Sequence, residues 1–248
     1  MIDSYLLLIG AAFTAGLLNS VAGGGTFLTF PALVFTGVPS VVANATSSVA
    51  LFPGVFASAW AYRKDFRALG GVPIGVTLAA SIAGGIAGAL LLLYTSERTF
   101  DVIIPWLLLA ASMIFTFGQR LAAVLERRSL IGPKTLIGIQ FLLGIYGGYF
   151  GGAVGIIMMA LWTLIGVDDI HAMNANRTLL GGSMNAAAVI CFIAAGKVWW
   201  LQTATMLVAA VIGGYAGARV ARRANTKWVR SLVTIISFSV TIVFFLRA

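Results

Sequence analysis

AGLLNSVAGGGTFLTFPALVFTGV, residues 15–38, returns in the second half of the chain as LGIYGGYFGGAVGIIMMALWTLIGV, residues 143–167, with one residue inserted. Two further pairs keep the same order. AGGIAGALL from Ala83 matches IGGYAGARV from Ile212, and ANATSSVAL from Ala43 loosely matches MNANRTLLG from Met173. Self-similarity spaced by half a chain marks a duplication. The repeats are placed at 1–125 and 126–248, within one transmembrane domain.

Each repeat reads as five apolar segments. In the first they run roughly Tyr5 to Ala22, Thr26 to Val38, Val41 to Tyr62, Val72 to Leu93 and Phe100 to Phe117. In the second they run roughly Thr135 to Phe150, Gly155 to Val167, Ala172 to Ala195, Val198 to Val220 and Val229 to Leu246. The second segment of each half is too short to cross a bilayer core comfortably. A glycine cluster, Gly23-Gly24-Gly25 or Gly151-Gly152, divides it from its predecessor, which points to a broken helix or a re-entrant hairpin.

Composition sets the solvent. Of 248 residues, 60% are hydrophobic and only 9% charged, too apolar for the surface of a soluble domain of this size. The fold expected is an all-α polytopic membrane protein, each repeat holding a Gly-broken short helix pair and three transmembrane helices. The net charge of +9 does not indicate nucleic acid, because the basic residues sit in short loops between apolar stretches. The opening MIDSYLLLIG carries an acid where a secretory signal carries basic residues, so it reads as mature protein. Cys191 stands alone and fits no disulfide framework.

Those basic residues form three clusters: Arg63, Lys64 and Arg67; Arg120, Arg127, Arg128 and Lys134; and Arg219, Arg222, Arg223, Lys227 and Arg230. All three fall on the cytoplasmic face only if each half crosses an odd number of times, leaving Arg98, Lys197 and Arg247 outside. The expectation is therefore inverted-topology repeats with both termini outside, in a bacterial inner membrane.

Glycine breaks at corresponding places in inverted halves point to a transporter site. Unwound backbone exposes amide groups, and the half-helices starting near Thr26 and Val154 aim positive dipole ends at the gap. An anion suits such a place. The candidates at the breaks are Asn19, Gly23, Gly24, Gly25, Thr26, Gly151 and Gly152. A second group opens the third segment of each half: Asn44, Thr46, Ser47 and Ser48 in the first, and Asn174, Asn176, Arg177 and Thr178 in the second. Each hydroxyl or amide alone is equally well read as a helix-packing contact. An inverted fold would bring the two groups toward one axis near the midplane. Gly84, Gly88, Gly213 and Gly217 read instead as small surfaces for close helix contact.

Arg177 lies eight or nine residues past Asp168-Asp169, about 12 Å into the membrane by helical rise. No acid occurs deeper in its segment, so a guanidinium there calls for a wet cavity or an anionic partner. A snorkelling side chain or a pair with Asp168 or Asp169 is the plainer alternative. His171 beside those acids reads as a solvated edge, and Trp199 and Trp200 as interfacial anchors. No metal cluster, nucleophile pairing or nucleotide loop is found, so neither enzyme activity nor a cofactor is expected.

The runs NSVAGGGTFLTFPAL, residues 19–33, and GVPSVVANATSS, residues 37–48, resemble the signature of the TauE/SafE family of sulfite-exporter-like membrane permeases. The resemblance extends through the duplicated half. It implies transport of small anions such as sulfite, sulfonates and some carboxylates, and it marks Gly23, Gly24, Gly25, Pro31, Asn44, Thr46 and Ser47. The second copy departs from the motif at Ala153, Met159 and Asn176-Arg177. The function expected is a secondary transporter working by alternating access around a site between the halves; an anion channel and a non-transporting membrane subunit remain the alternatives. Its partners would be a small anion, the bilayer and a coupling proton or Na+, with self-association open and nucleic acid excluded.

Overall fold

The computed structural model describes residues 2–21, 24–61, 63–125, 132–164, 170–221 and 226–247. Among them are ten helices and no strands. In chain order they are α1 Ile2–Val21, α2 Thr26–Phe35, α3 Ser40–Ala61, α4 Ile74–Tyr94, α5 Glu97–Leu125, α6 Pro133–Tyr149, α7 Val154–Leu164, α8 Ile170–Ala194, α9 Trp200–Ala221 and α10 Thr226–Arg247. The helix expected for every apolar segment is present, and both short second helices stand apart from their predecessors. Among the described residues, four helices are long and apolar enough to cross a membrane, at Ser40–Ala57, Ile74–Tyr94, Glu97–Gly118 and Ala172–Ala194.

One boundary differs by more than a turn. The apolar run ends at Phe117, but α5 continues to Leu125, because Gln, Arg, Leu and Ala propagate a helix after hydrophobicity stops. Hydropathy finds the span; propensity sets the helix end.

Side chains are arranged for lipid rather than water. On α4 the buried positions are Thr77, Ser81, Gly84, Gly85, Gly88, Ala89 and Leu92, recurring at three- and four-residue spacing. Ile82, Ile86, Leu90 and Leu91 point outward. A soluble helix would bury those four. In a bilayer, helices gain by close approach of small residues, since the apolar side chains already have an apolar solvent.

The chain divides into two compact units: Met1–Gly54 with Leu93–Ser112 and Phe192–Ala248, and Val55–Leu92 with Met113–Cys191. In the first, α9 of the second repeat lies against α1 of the first. A methyl added at Gly16 would strike the Ala210 carbonyl, and one at Gly213 the Phe13 carbonyl. In the second unit, α4 of the first repeat lies against α6 of the second. A methyl at Gly84 would strike the Phe141 carbonyl, and one at Gly88 the Ile145 carbonyl. Gly16 and Gly144, Phe13 and Phe141, and Gly84 and Gly213 are equivalent places of the repeat. Each repeat has thus lent its fourth helix to the other's first, through the same glycines, which act in packing as their spacing implies.

Candidate functional site

The first unit contains the first break. Gly24 adopts φ +91°, a conformation side chains rarely allow, and turns the chain between α1 and α2. Asn19 folds over the turn, its Oδ1 accepting the Gly25 N–H at 2.8 Å. A Cβ on Gly25 would fall 2.6 Å from the Asn19 Nδ2. The amides of Phe27, Leu28 and Thr29 are already bonded to the Gly24 and Gly25 carbonyls. Half-buried Thr26 opens α2, a ten-residue helix about 15 Å long, half of a bilayer core.

Asn44, Thr46 and Ser47 are fully buried on α3. The Ser47 and Thr29 hydroxyls lie 2.6 Å apart, tying α3 to the short helix α2. The Thr46 Oγ1 accepts the Trp199 backbone N–H at 3.2 Å, holding the loop that enters α9. At the head of α3, the Glu97 carboxylate accepts Ser40 Oγ at 2.9 Å and the Val41 N–H at 2.8 Å. Trp199 and Trp200 are exposed, as interfacial residues would be.

The second unit contains the second break. Gly151 turns the chain at φ +78°, and Ala153 follows at φ +58°, the one non-glycine with positive φ among the described residues. The Tyr146 hydroxyl donates to the Gly152 carbonyl at 2.6 Å and braces the turn. Asn176 is fully buried and grips Arg67 by its backbone, the Nδ2 donating to the carbonyl at 2.9 Å and the Oδ1 accepting the N–H at 3.3 Å. Thr46 and Asn176 are equivalent places, so each repeat holds the loop leading into the other's fourth helix. Thr178 donates within its own helix to Ala175, and Asn174 is half-buried.

Arg177 is half-buried and lies across Gly155, at the start of α7. Its Cδ would be 2.8 Å, its Cγ 3.1 Å and its Nε 3.6 Å from a Cβ there. A side chain at position 155 would therefore displace the arginine. Ser47 and Arg177 are also equivalent, and both address the short helix of their own repeat. The stem of Arg177 thus lies against the first turn of α7, the positive end of that helix's dipole.

Gly23 and Asp168-Asp169 lie outside the described residues, as does the side chain of His171. No group of three metal-ligating side chains occurs among the described residues. Sequence reasoning passed over Thr29, Tyr146 and Glu97. A lone hydroxyl in the apolar FLTFP run was the available signal for Thr29; the other two had none.

The family model for the sulfite exporter TauE/SafE matches residues 8–244 of the chain. The chain belongs to the TauE/SafE family. Within it, the chain is 29% identical over 242 residues to a probable membrane transporter protein of Haemophilus influenzae, covering 97% of this chain and 94% of that one. It is 30% identical over 237 residues to the probable membrane transporter protein YfcA of Escherichia coli K12, covering 93% and 87%. A Sinorhizobium protein, the probable membrane transporter protein ORF9, is 29% identical over 239 residues, covering 94% and 88%. No solved structure matches. TauE/SafE proteins are membrane transporters and not enzymes, in keeping with the expectation from the motifs.

Proposed function

We propose that this TauE/SafE protein is a secondary transporter that moves a small anion, of the sulfite, organosulfonate or carboxylate class, across the bacterial inner membrane by alternating access. The transporter names of its relatives support the activity. The observation that carries the anion is Arg177 lying across Gly155 at the positive end of α7. A guanidinium on the candidate span Ala172–Ala194 can hold an anion in a two-bond fork. Ser47, Thr46, Asn44, Asn19, Gly24, Gly25 and Thr26 form the corresponding neutral group in the other repeat, with Asn174, Asn176, Thr178, Gly151 and Gly152 beside Arg177. A proton or Na+ gradient supplies the driving force.

A thermal-shift series of the purified protein with sulfite, sulfate, thiosulfate, sulfoacetate and short carboxylates tests the ligand, since an anion that binds the folded state raises its melting temperature by mass action. No shift with any of them would remove the anion site. The repeats, 1–125 and 126–248, are inverted in this reading. Reporters at the C-terminus and at Ser96 should then read extracytoplasmic and one between Glu126 and Ser129 cytoplasmic; a cytoplasmic C-terminus would refute inversion.

A further inference from the structure

Polar atoms left open inside the second unit are of two kinds. Gln140 Oε1 and Trp162 Nε1 have no hydrogen-bond partner among the described residues, but both side chains are fully buried, the tryptophan in an apolar cluster. Asn185 Oδ1 has no partner either, yet its residue is only half-buried. On the candidate span Ala172–Ala194, Asn185 stands about 20 Å from one end and 14 Å from the other by helical rise. Hydrocarbon offers an amide nothing to bond with, so a carboxamide at that depth needs either protein or water. Among the described residues no protein group serves this oxygen.

Asn185 ends a stripe. On α8, Asn174, Thr178, Gly181 and Asn185 follow at spacings of four, three and four on one face, with Arg177 at its flank, and all five are half-buried. A methyl built on Gly181 meets no atom within 4 Å, so the stripe borders open space rather than a neighbouring helix. Lipid lies on the other side. Ile190, 68% exposed, comes two and a half turns after Gly181 and points the opposite way. Both flanks between are packed: a methyl on Gly85 of α4 would fall 2.6 Å from the Met184 carbonyl, and one on Gly182 would fall 3.4 Å from Val55 Cγ1 of α3. One turn past Asn185, Ala188 and Val189 are buried and the opening ends.

We propose that this stripe is the wall of a water-filled vestibule that begins at Asn174 and ends at Asn185, where water satisfies the open carboxamide oxygen. In a membrane transporter, a wet face reaching that depth is the solute's route to the middle of the bilayer. The inference requires transport but no particular solute, so it stands apart from the reading of Arg177 as an anion ligand.

Gly181→Cys, Asn185→Cys and Ile190→Cys are made singly in the full-length chain, with Cys191→Ala removing the native thiol. In liposomes, with reagent on both faces, each is treated with two charged methanethiosulfonates, the anionic sulfonatoethyl and the cationic trimethylammonioethyl compound. Both attack a thiolate, which forms in water and not in hydrocarbon. Gly181→Cys and Asn185→Cys should react at least about 30-fold faster than Ile190→Cys. Rates no faster than at Ile190→Cys overturn the vestibule. Fast reaction at Gly181→Cys alone overturns the role of Asn185 as its inner end. Should Asn185→Cys not accumulate, Gly181→Cys, which has room for its side chain, carries the test of water access. Labelled Gly181→Cys should lose sulfite uptake, and full uptake by the labelled protein overturns the vestibule as the solute's route. Normalised to a free thiol in water, the anionic reagent should outpace the cationic one about tenfold at Asn185→Cys, because Arg177 flanks the stripe. Fast but equal rates for the two reagents uphold the vestibule and count against the Arg177 reading alone.

Discussion

At the first break, Gly25 keeps a helical φ of −58° yet has no room for a Cβ, because Asn19 covers it. At the second, Ala153 occupies the equivalent place with a Cβ and a φ of +58°. One repeat turns the chain with a glycine before the helix and an amide side chain over it. The other turns it through left-handed backbone, at a cost of about 1 kcal/mol for an alanine, and braces it with the Tyr146 hydroxyl. The third helices diverge in the same sense. Ser47 closes its half with a hydroxyl pair to Thr29, while Arg177 brings a charge to the start of α7. The first break is thus braced by neutral groups, whereas an arginine lies over the start of the short helix at the second.

The largest effect should separate those two roles. Arg177→Ala is expected to lower anion uptake in liposomes by 100-fold or more, roughly 2.7 kcal/mol, and Arg177→Lys by about tenfold, because lysine keeps the charge and loses the fork. Ser47→Ala should leave at least a tenth of the uptake. If Ser47→Ala is as damaging as Arg177→Ala, the two halves share the ligand and the division of roles fails.

The helix seams should behave alike in both units. Gly84→Val and Gly213→Val each put side-chain atoms against a backbone carbonyl that cannot move away, and each should destabilise the protein by about 3 kcal/mol, seen as a lower melting temperature and less folded protein. Gly10→Val, with open space around it, serves as the tolerated control. A large loss at one seam only would show that the exchanged helices are not equivalent in energy.

Smaller effects are expected within the breaks. Thr29→Val leaves the Ser47 hydroxyl without its partner and should cost about 1 to 2 kcal/mol, read from melting temperature, with uptake reduced less than threefold. Ala153→Gly should raise stability by up to about 1 kcal/mol, since glycine takes positive φ freely and gives back part of the gain through a looser unfolded chain. A destabilised Ala153→Gly would mean that the alanine methyl contributes packing that outweighs its backbone strain.

The breaks were legible because Gly23-Gly24-Gly25 and Gly151-Gly152 interrupt apolar runs that would otherwise continue, and chain turning needs glycine for a local, conformational reason. The prominence of Arg177 was legible from cost alone. The partners of the small-residue helices were not. Gly84 and Gly213 announce a close contact, but a motif of small residues carries no address, and their partners α6 and α1 could be assigned only from the structure. Trp162 and Tyr146 were hidden for a different reason: an aromatic side chain in an apolar helix looks like core until its polar atom is followed to a partner, or to none. The tail of α5 was missed because its helix outlasts its hydrophobicity.

The exchange of fourth helices bears on how such a protein is made. A single repeat has an α1-type helix without its α9 and an α4-type helix without its α6, so alone it would leave both glycine faces uncovered. The other repeat supplies both partners. The same trade governs synthesis today: α1 enters the membrane first and waits for α9, almost the last helix to leave the ribosome, before its unit can close.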